Sequence, residues 1–97
     1  MEKAIKLNDA EAEFYAWRGH ARFLLAQDRK AVFDDCADDC KKAIKMQERC
    51  VPAHYFLGLM AKVVGETKLA TKSFEKVLQL EPGHVEAMRE LRLMGKK

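Results

Sequence analysis

No stretch of this chain holds enough consecutive apolar residues to cross a bilayer, and no charged-then-apolar leader opens it, so no membrane partner and no secretion are expected. Cysteine is scarce as well. Three thiols, an odd number with no extracellular setting, argue against a disulfide framework and for a reducing, cytoplasmic compartment. A glycine-rich phosphate loop is missing. The three histidines, His20, His54 and His84, fall in separate predicted helices with no nucleophile motif around them, so no catalytic triad is readable and no enzyme is expected. The net charge of +3 is small, and its excess gathers at Arg89, Arg92, Lys96 and Lys97 with no aromatic among them. Nucleic-acid surfaces interleave stacking rings with basic groups, so nucleic acid is not an expected partner.

What the chain does have is helical periodicity. With 48% hydrophobic and 34% charged residues, the 97 residues suit one small helical domain with a modest core. The rest is organised around 53–82, AHYFLGLMAKVVGETKLATKSFEKVLQLEP. Tyr55, Phe56, Leu59, Met60 and Val63 recur at helical spacing, and so do Ala70, Phe74, Val77, Leu78 and Leu80. Gly65 separates the two runs and Pro82-Gly83 ends the second. Gly58 stands inside the first run, where it costs roughly 1 kcal/mol against Ala. That position implies a close approach by the second helix, whose packed face carries the small Ala70. The stretch is predicted to be a helical hairpin.

Leu57-Gly58, Ala70, Phe74 and the closing Val77-Leu78-Gln79-Leu80-Glu81-Pro82 resemble one tetratricopeptide repeat (TPR), a module of about 34 residues. Ala61 replaces the usual aromatic, and His54 stands where the family often has Trp. The resemblance implies an all-α fold, a TPR-like right-handed stack of antiparallel hairpins. Its details look similar to bacterial TPR segments of larger proteins, some of which bear chaperone J-domains.

The pattern recurs along the chain. Residues 1–11 read as the end of a preceding repeat's second helix, with Ala4, Ile5 and Leu7 on one face and no partner helix before them. Residues 12–50 form a long repeat. Its first helix, from Ala12 to Ala26, carries Gly19 as the counterpart of Gly58, and its aromatics Phe14, Tyr15, Trp17 and Phe23, with Leu24, are expected to be mainly core. In its second helix Cys36, Cys40, Ala43, Ile44 and Met46 match Ala70, Phe74, Val77, Leu78 and Leu80. The two glycines lie 58 − 19 = 39 residues apart, five more than the family period, so the second helix should be longer by over a turn and open on Asp28 as N-cap. Glu48 replaces the closing proline, which predicts a more continuous link into the regular repeat, 51–84. Pro52 suits the first turn of that repeat's opening helix. Residues 85–97 should be a capping helix with Val85, Met88, Leu91 and Met94 facing in.

Cys36, Cys40, Cys50 and His54 have one-turn spacings that could suggest zinc. They occupy inward repeat positions and match no zinc motif, so they are expected to be metal-free core residues, and no cofactor is expected. Asp34, Asp35, Asp38 and Asp39 are read as a solvated helix face near a helix N-terminus.

The resemblance further implies a non-catalytic scaffold that binds a protein or peptide in a groove lined by first helices. Carried over by position, that groove would be Ala16, His20, Phe23, Tyr55, Leu59, Lys62, Arg89 and Leu93. The carboxylate clamp of chaperone-binding relatives is absent, because Ala16, His20, Tyr55 and Leu59 stand at its places. A trough of apolar and aromatic groups with basic groups at one end remains, suited to a segment with apolar anchors and an acidic residue. The alternative is a structural module that self-associates through exposed repeat ends, a weak homodimer joined around Ile5 and Leu7.

Overall fold

The computed structural model describes the backbone of residues 2–95 and the side chains of residues 11–94. Five α-helices and no strand occur among the described residues: α1 Glu2–Leu25, α2 Arg29–Met46, α3 Val51–Val64, α4 Thr67–Leu80 and α5 Val85–Gly95. α1 packs on α2 and α3 packs on α4. α3 also touches both helices of the first pair, and α5 rests against α4. The architecture is all-α.

Local sequence explains where each helix starts and stops. The Asp28 carboxylate accepts the Ala31 N–H at 3.2 Å and opens α2, as its N-cap position predicts. At 18 residues against 14 in α4, α2 is longer by just over one turn, so the inserted residues are absorbed as helix. Gly65, at φ +89°, closes α3. Its N–H reaches the Lys62 carbonyl, and the Glu66 N–H reaches the Ala61 carbonyl at 2.8 Å, a Schellman motif that only a left-handed residue completes cheaply.

Two expected joints differ. The break between 1–11 and the helix from Ala12 is absent, because α1 runs unbroken from Glu2 and no Gly or Pro before Gly19 interrupts it. The side chains of Ala4, Ile5 and Leu7, and all of Lys96 and Lys97, lie outside the described residues. The link from α2 to α3 is not continuous. α2 ends at Met46, the Gln47 N–H returns to the Ala43 carbonyl at 2.9 Å, and a turn leads to Val51. Pro52 in the first turn of α3 supplies the break, since its ring and missing donor bar a helix from running through from upstream.

Both glycines of the repeat mark close approaches. A Cβ at Gly19 would lie 2.7 Å from the Cys36 carbonyl oxygen and 2.8 Å from Asp39 Cβ. At Gly58 the obstacle is the Phe74 ring, 2.8 Å away at Cε1, so the close neighbour is the second helix of the hairpin, as the sequence implies. Around these contacts the core divides in two. Ala12, Ala16, Phe23, Cys36, Cys40, Ala43, Ala53 and Met60 fill the space between the first pair and α3. Ala61, Ala70, Phe74, Val77 and Ala87 join α3, α4 and α5. Inward positions repeat 34 residues apart: Ala53 and Ala87 are both fully buried, and Leu91 and Met94 pack inward as Leu57 and Met60 do. Leu91 and Met94 therefore face in as expected, whereas Val85 and Met88 are exposed, because no sixth helix lies against that side of α5 among the described residues.

Candidate functional site

α1 and α3 lie side by side and leave an open trough along their seam. At its lower end a cavity of about 230 Å³ is lined by His20, Phe23, Leu24 and Arg29 from the first pair and Leu59, Met60, Lys62 and Val63 from α3. At its upper end a second cavity of about 250 Å³ is lined by Trp17, Val51, Pro52, Tyr55, Phe56, His84 and Glu86. Phe56 is the buried pivot between them. The His20 ring stacks flat on it at 4.3 Å and 4°, and Trp17 meets it edge-on at 4.7 Å. Burial holds the His20 pKa below the usual imidazole value, so the stacked ring is a neutral aromatic at physiological pH.

Tyr55 is half-buried, with ring contacts to Phe56, Phe74 and His84. Burial, then the nearby Glu86 and Glu90 carboxylates, push its phenol pKa up against an opposing effect of Arg89. His84 accepts the Ala87 N–H at Nδ1, 3.1 Å, and so caps α5. With that lone pair engaged, the 3.9 Å approach of Glu86 to the same nitrogen is no ion pair. Lys62 and Glu90 are ion-paired and tie α5 to the rim of α3.

Of the residues expected to line a groove, His20, Phe23, Leu59 and Lys62 meet in the lower cavity and Tyr55 lines the upper one. Ala16 does not line it; it is fully buried among α1, α2 and α3, where a small side chain lets the helices approach. Arg89 and Leu93 are exposed and line neither cavity, and α5 instead turns Glu86 and Glu90 toward α3. Of the basic groups at the lower end, Lys62 is paired with Glu90, and Arg29 also lines the cavity. Leu24, Val63, Trp17 and Glu86 were missed. The first two stand at equivalent places, 39 residues apart like Gly19 and Gly58, one position beyond Phe23 and Lys62; that equivalence was the available signal.

No family model, curated protein or solved structure matches the chain. Its chemistry therefore rests on the side chains alone.

Phe14 and Trp17 are not core: they are 59% and 57% exposed, and Leu24 is half exposed, because no helix among the described residues lies over that side of α1. Asp39 is not solvated with its three neighbours. It is 7% exposed and receives Arg18 at 2.8 Å and Arg22 at 3.3 Å across the helix pair. The Asp39 hydrogen bond raises the Arg18 pKa further, and the guanidinium also lies over the Tyr15 ring at 4.9 Å. This cluster fastens α1 to α2 away from the trough.

Cys36 and Cys40 are free thiols, and all three cysteines are buried. Burial pushes the Cys40 thiol up to about 12 and raises Cys36 in the same direction, the opposite of what a nucleophile needs. His54 is buried, and Nε2 donates to the Glu48 carbonyl at 3.1 Å, which fixes the neutral tautomer against a pKa lowered mainly by burial. The single serine, Ser73, is buried in α4. Among the described residues no group of three or more His, Cys, Asp or Glu gathers that could hold a metal ion, and no helix is long and apolar enough to cross a membrane.

Proposed function

We propose that this chain is a non-catalytic protein-interaction module of the tetratricopeptide kind, which holds a short segment of a partner protein along the seam between α1 and α3. The observation that carries the reading is the trough itself, two apolar cavities linked where Phe56 of the upper one stacks on His20 of the lower, with Leu24 and Val63 exposed on its lower walls and Trp17 at its upper end. Two helix pairs in series, inward positions repeating at 34 residues, and glycines at both close approaches support a right-handed TPR-like stack. Each cavity takes one apolar anchor of an extended or single-helix segment. Glu86 on the upper cavity favours a basic residue beside the upper anchor, and Arg29 on the lower cavity suits the acidic residue expected from the sequence.

Tyr55 is a poor probe of the site, since its ring supports Phe56, Phe74 and His84. Val63 is the better one, being 54% exposed on the cavity wall. Peptides selected from a display library on immobilised protein should bind Val63→Glu at least tenfold more weakly, in keeping with about 2 kcal/mol at an anchor position. Lys68→Glu, on exposed α4, should leave them unaffected. Failure to enrich any peptide, or enrichment of peptides blind to Val63→Glu, would overturn the proposal.

A further inference from the structure

α2 and α5 are capped by the same kind of bond from different chemistry. At α2 the Asp28 carboxylate accepts the Ala31 N–H, and at α5 the imidazole of His84 accepts the Ala87 N–H at Nδ1, 3.1 Å. His84 is held at this joint by its backbone, its N–H on the Glu81 carbonyl and its carbonyl receiving the Met88 N–H, each at 3.1 Å. Acceptance at Nδ1 requires a neutral ring with its proton on Nε2. A carboxyl group offers a lone pair in either protonation state, whereas an imidazolium offers none. A histidine cap can therefore be switched off by mild acid, and an aspartate cap cannot.

We infer that His84 is a proton-operated latch on the first turn of α5. Neutral, it caps the helix and lays its ring against Tyr55 at 5.0 Å, a wall shared by the upper cavity and an adjoining polar cavity of about 420 Å³. Protonated, Nδ1 carries a hydrogen that meets the Ala87 N–H donor to donor, at the positive end of the helix dipole, so the ring must turn out of the cap. Acceptors stand ready for it. Glu86 Oε1 lies 3.9 Å from Nδ1 on α5, and Glu81 at the end of α4 and Glu13 on α1 line the polar cavity. Arg49, in the turn before α3, is the one cation lining either cavity, and the Tyr55 phenol of α3 is uncharged. The rest of α5 stays docked, because Ala87 and Leu91 are packed inward and Lys62 holds Glu90. What changes is the first turn and the wall it gives the upper cavity. The latch works whether or not a partner fills that cavity, so it does not rest on the proposed binding role.

Nitrogen-15 NMR of the whole chain from about pH 8 to about pH 5 spans the ordinary titration of an imidazole. At the alkaline end the His84 ring should be the Nε2–H tautomer. As the ring takes up its proton, protection of the Ala87 amide against hydrogen exchange should fall about fivefold, the change that corresponds to losing a cap of about 1 kcal/mol. The Ala31 amide, capped by Asp28, should keep its protection, and it reports any general loosening that His20 and His54 cause. His84→Asn, whose amide oxygen accepts at every pH, should hold the Ala87 value constant. A ring still neutral at about pH 5, or an Nδ1–H tautomer in the neutral ring, would overturn the inference. So would an Ala87 to Ala31 protection ratio unchanged through the titration, or the same fall in His84→Asn.

Discussion

Gly19→Ala tests how α1 and α2 are joined. In an exposed helix interior the change is favourable by about 1 kcal/mol, because Ala loses less backbone freedom on folding. Here the new Cβ would sit 2.7 Å from the Cys36 carbonyl oxygen and 2.8 Å from Asp39 Cβ. The oxygen belongs to the α2 main chain and cannot swing aside, so the helices must separate by several tenths of an ångström. Separation loosens the packing of Ala16, Cys36 and Cys40 and lengthens the Arg18–Asp39 contact. Overpacking of this kind costs up to about 3 kcal/mol, and subtracting the propensity gain leaves a net loss of about 2 kcal/mol. For a domain of this size, that lowers Tm by roughly 8 to 16 °C. Urea unfolding followed by circular dichroism measures it, with Gly83→Ala as the control, since nothing lies within 4 Å of a Cβ there. A Gly19→Ala protein as stable as the parent, or more so, would refute the reasoning.

Two further outcomes follow from the buried titratable groups. His54 and His20 both have pKa values lowered by burial, so between those values and the ordinary imidazole range the unfolded chain binds more protons than the folded one. Their contribution to stability is full above about pH 6.5 and is lost as pH falls through that window; a urea midpoint unchanged between pH 7.5 and 5.5 would contradict this. Cys40, buried with its thiol near 12, should react with iodoacetamide only through unfolding, at least 10³-fold more slowly in native protein than in urea, as the equilibrium constant of a stable domain implies. Labelling at comparable rates in both would show the thiol accessible.

Much of the fold was legible because it depends on local rules. The Asp28 cap, the Gly65 stop and the extra turn of α2 follow from short-range hydrogen bonding and from counting between two glycines. The inward cysteines followed from helical spacing. What escaped was set by neighbours. Periodicity identifies an apolar face on α1, but only the arrangement of helices decides that Phe23 is covered and Trp17 is not. Four aspartates along α2 look alike in sequence, and Asp39 is singled out only because Arg18 arrives from 21 residues away. The trough was half readable for the same reason: His20, Phe23 and Leu59 follow from register, whereas the removal of Lys62 as a free cation needed Glu90 from the last helix.

The two glycine contacts are alike in spacing and unlike in what they permit. At Gly58 the opposing group is a side chain, Phe74, so a methyl gained on one helix can be matched by a smaller residue on the other, and the pair can drift together through sequence space. At Gly19 the opposing group is a peptide carbonyl, which every residue type carries in the same place. No substitution in α2 can make room for a side chain there. In a designed or diversified set of variants, position 58 would tolerate compensated change, while position 19 would return glycine each time.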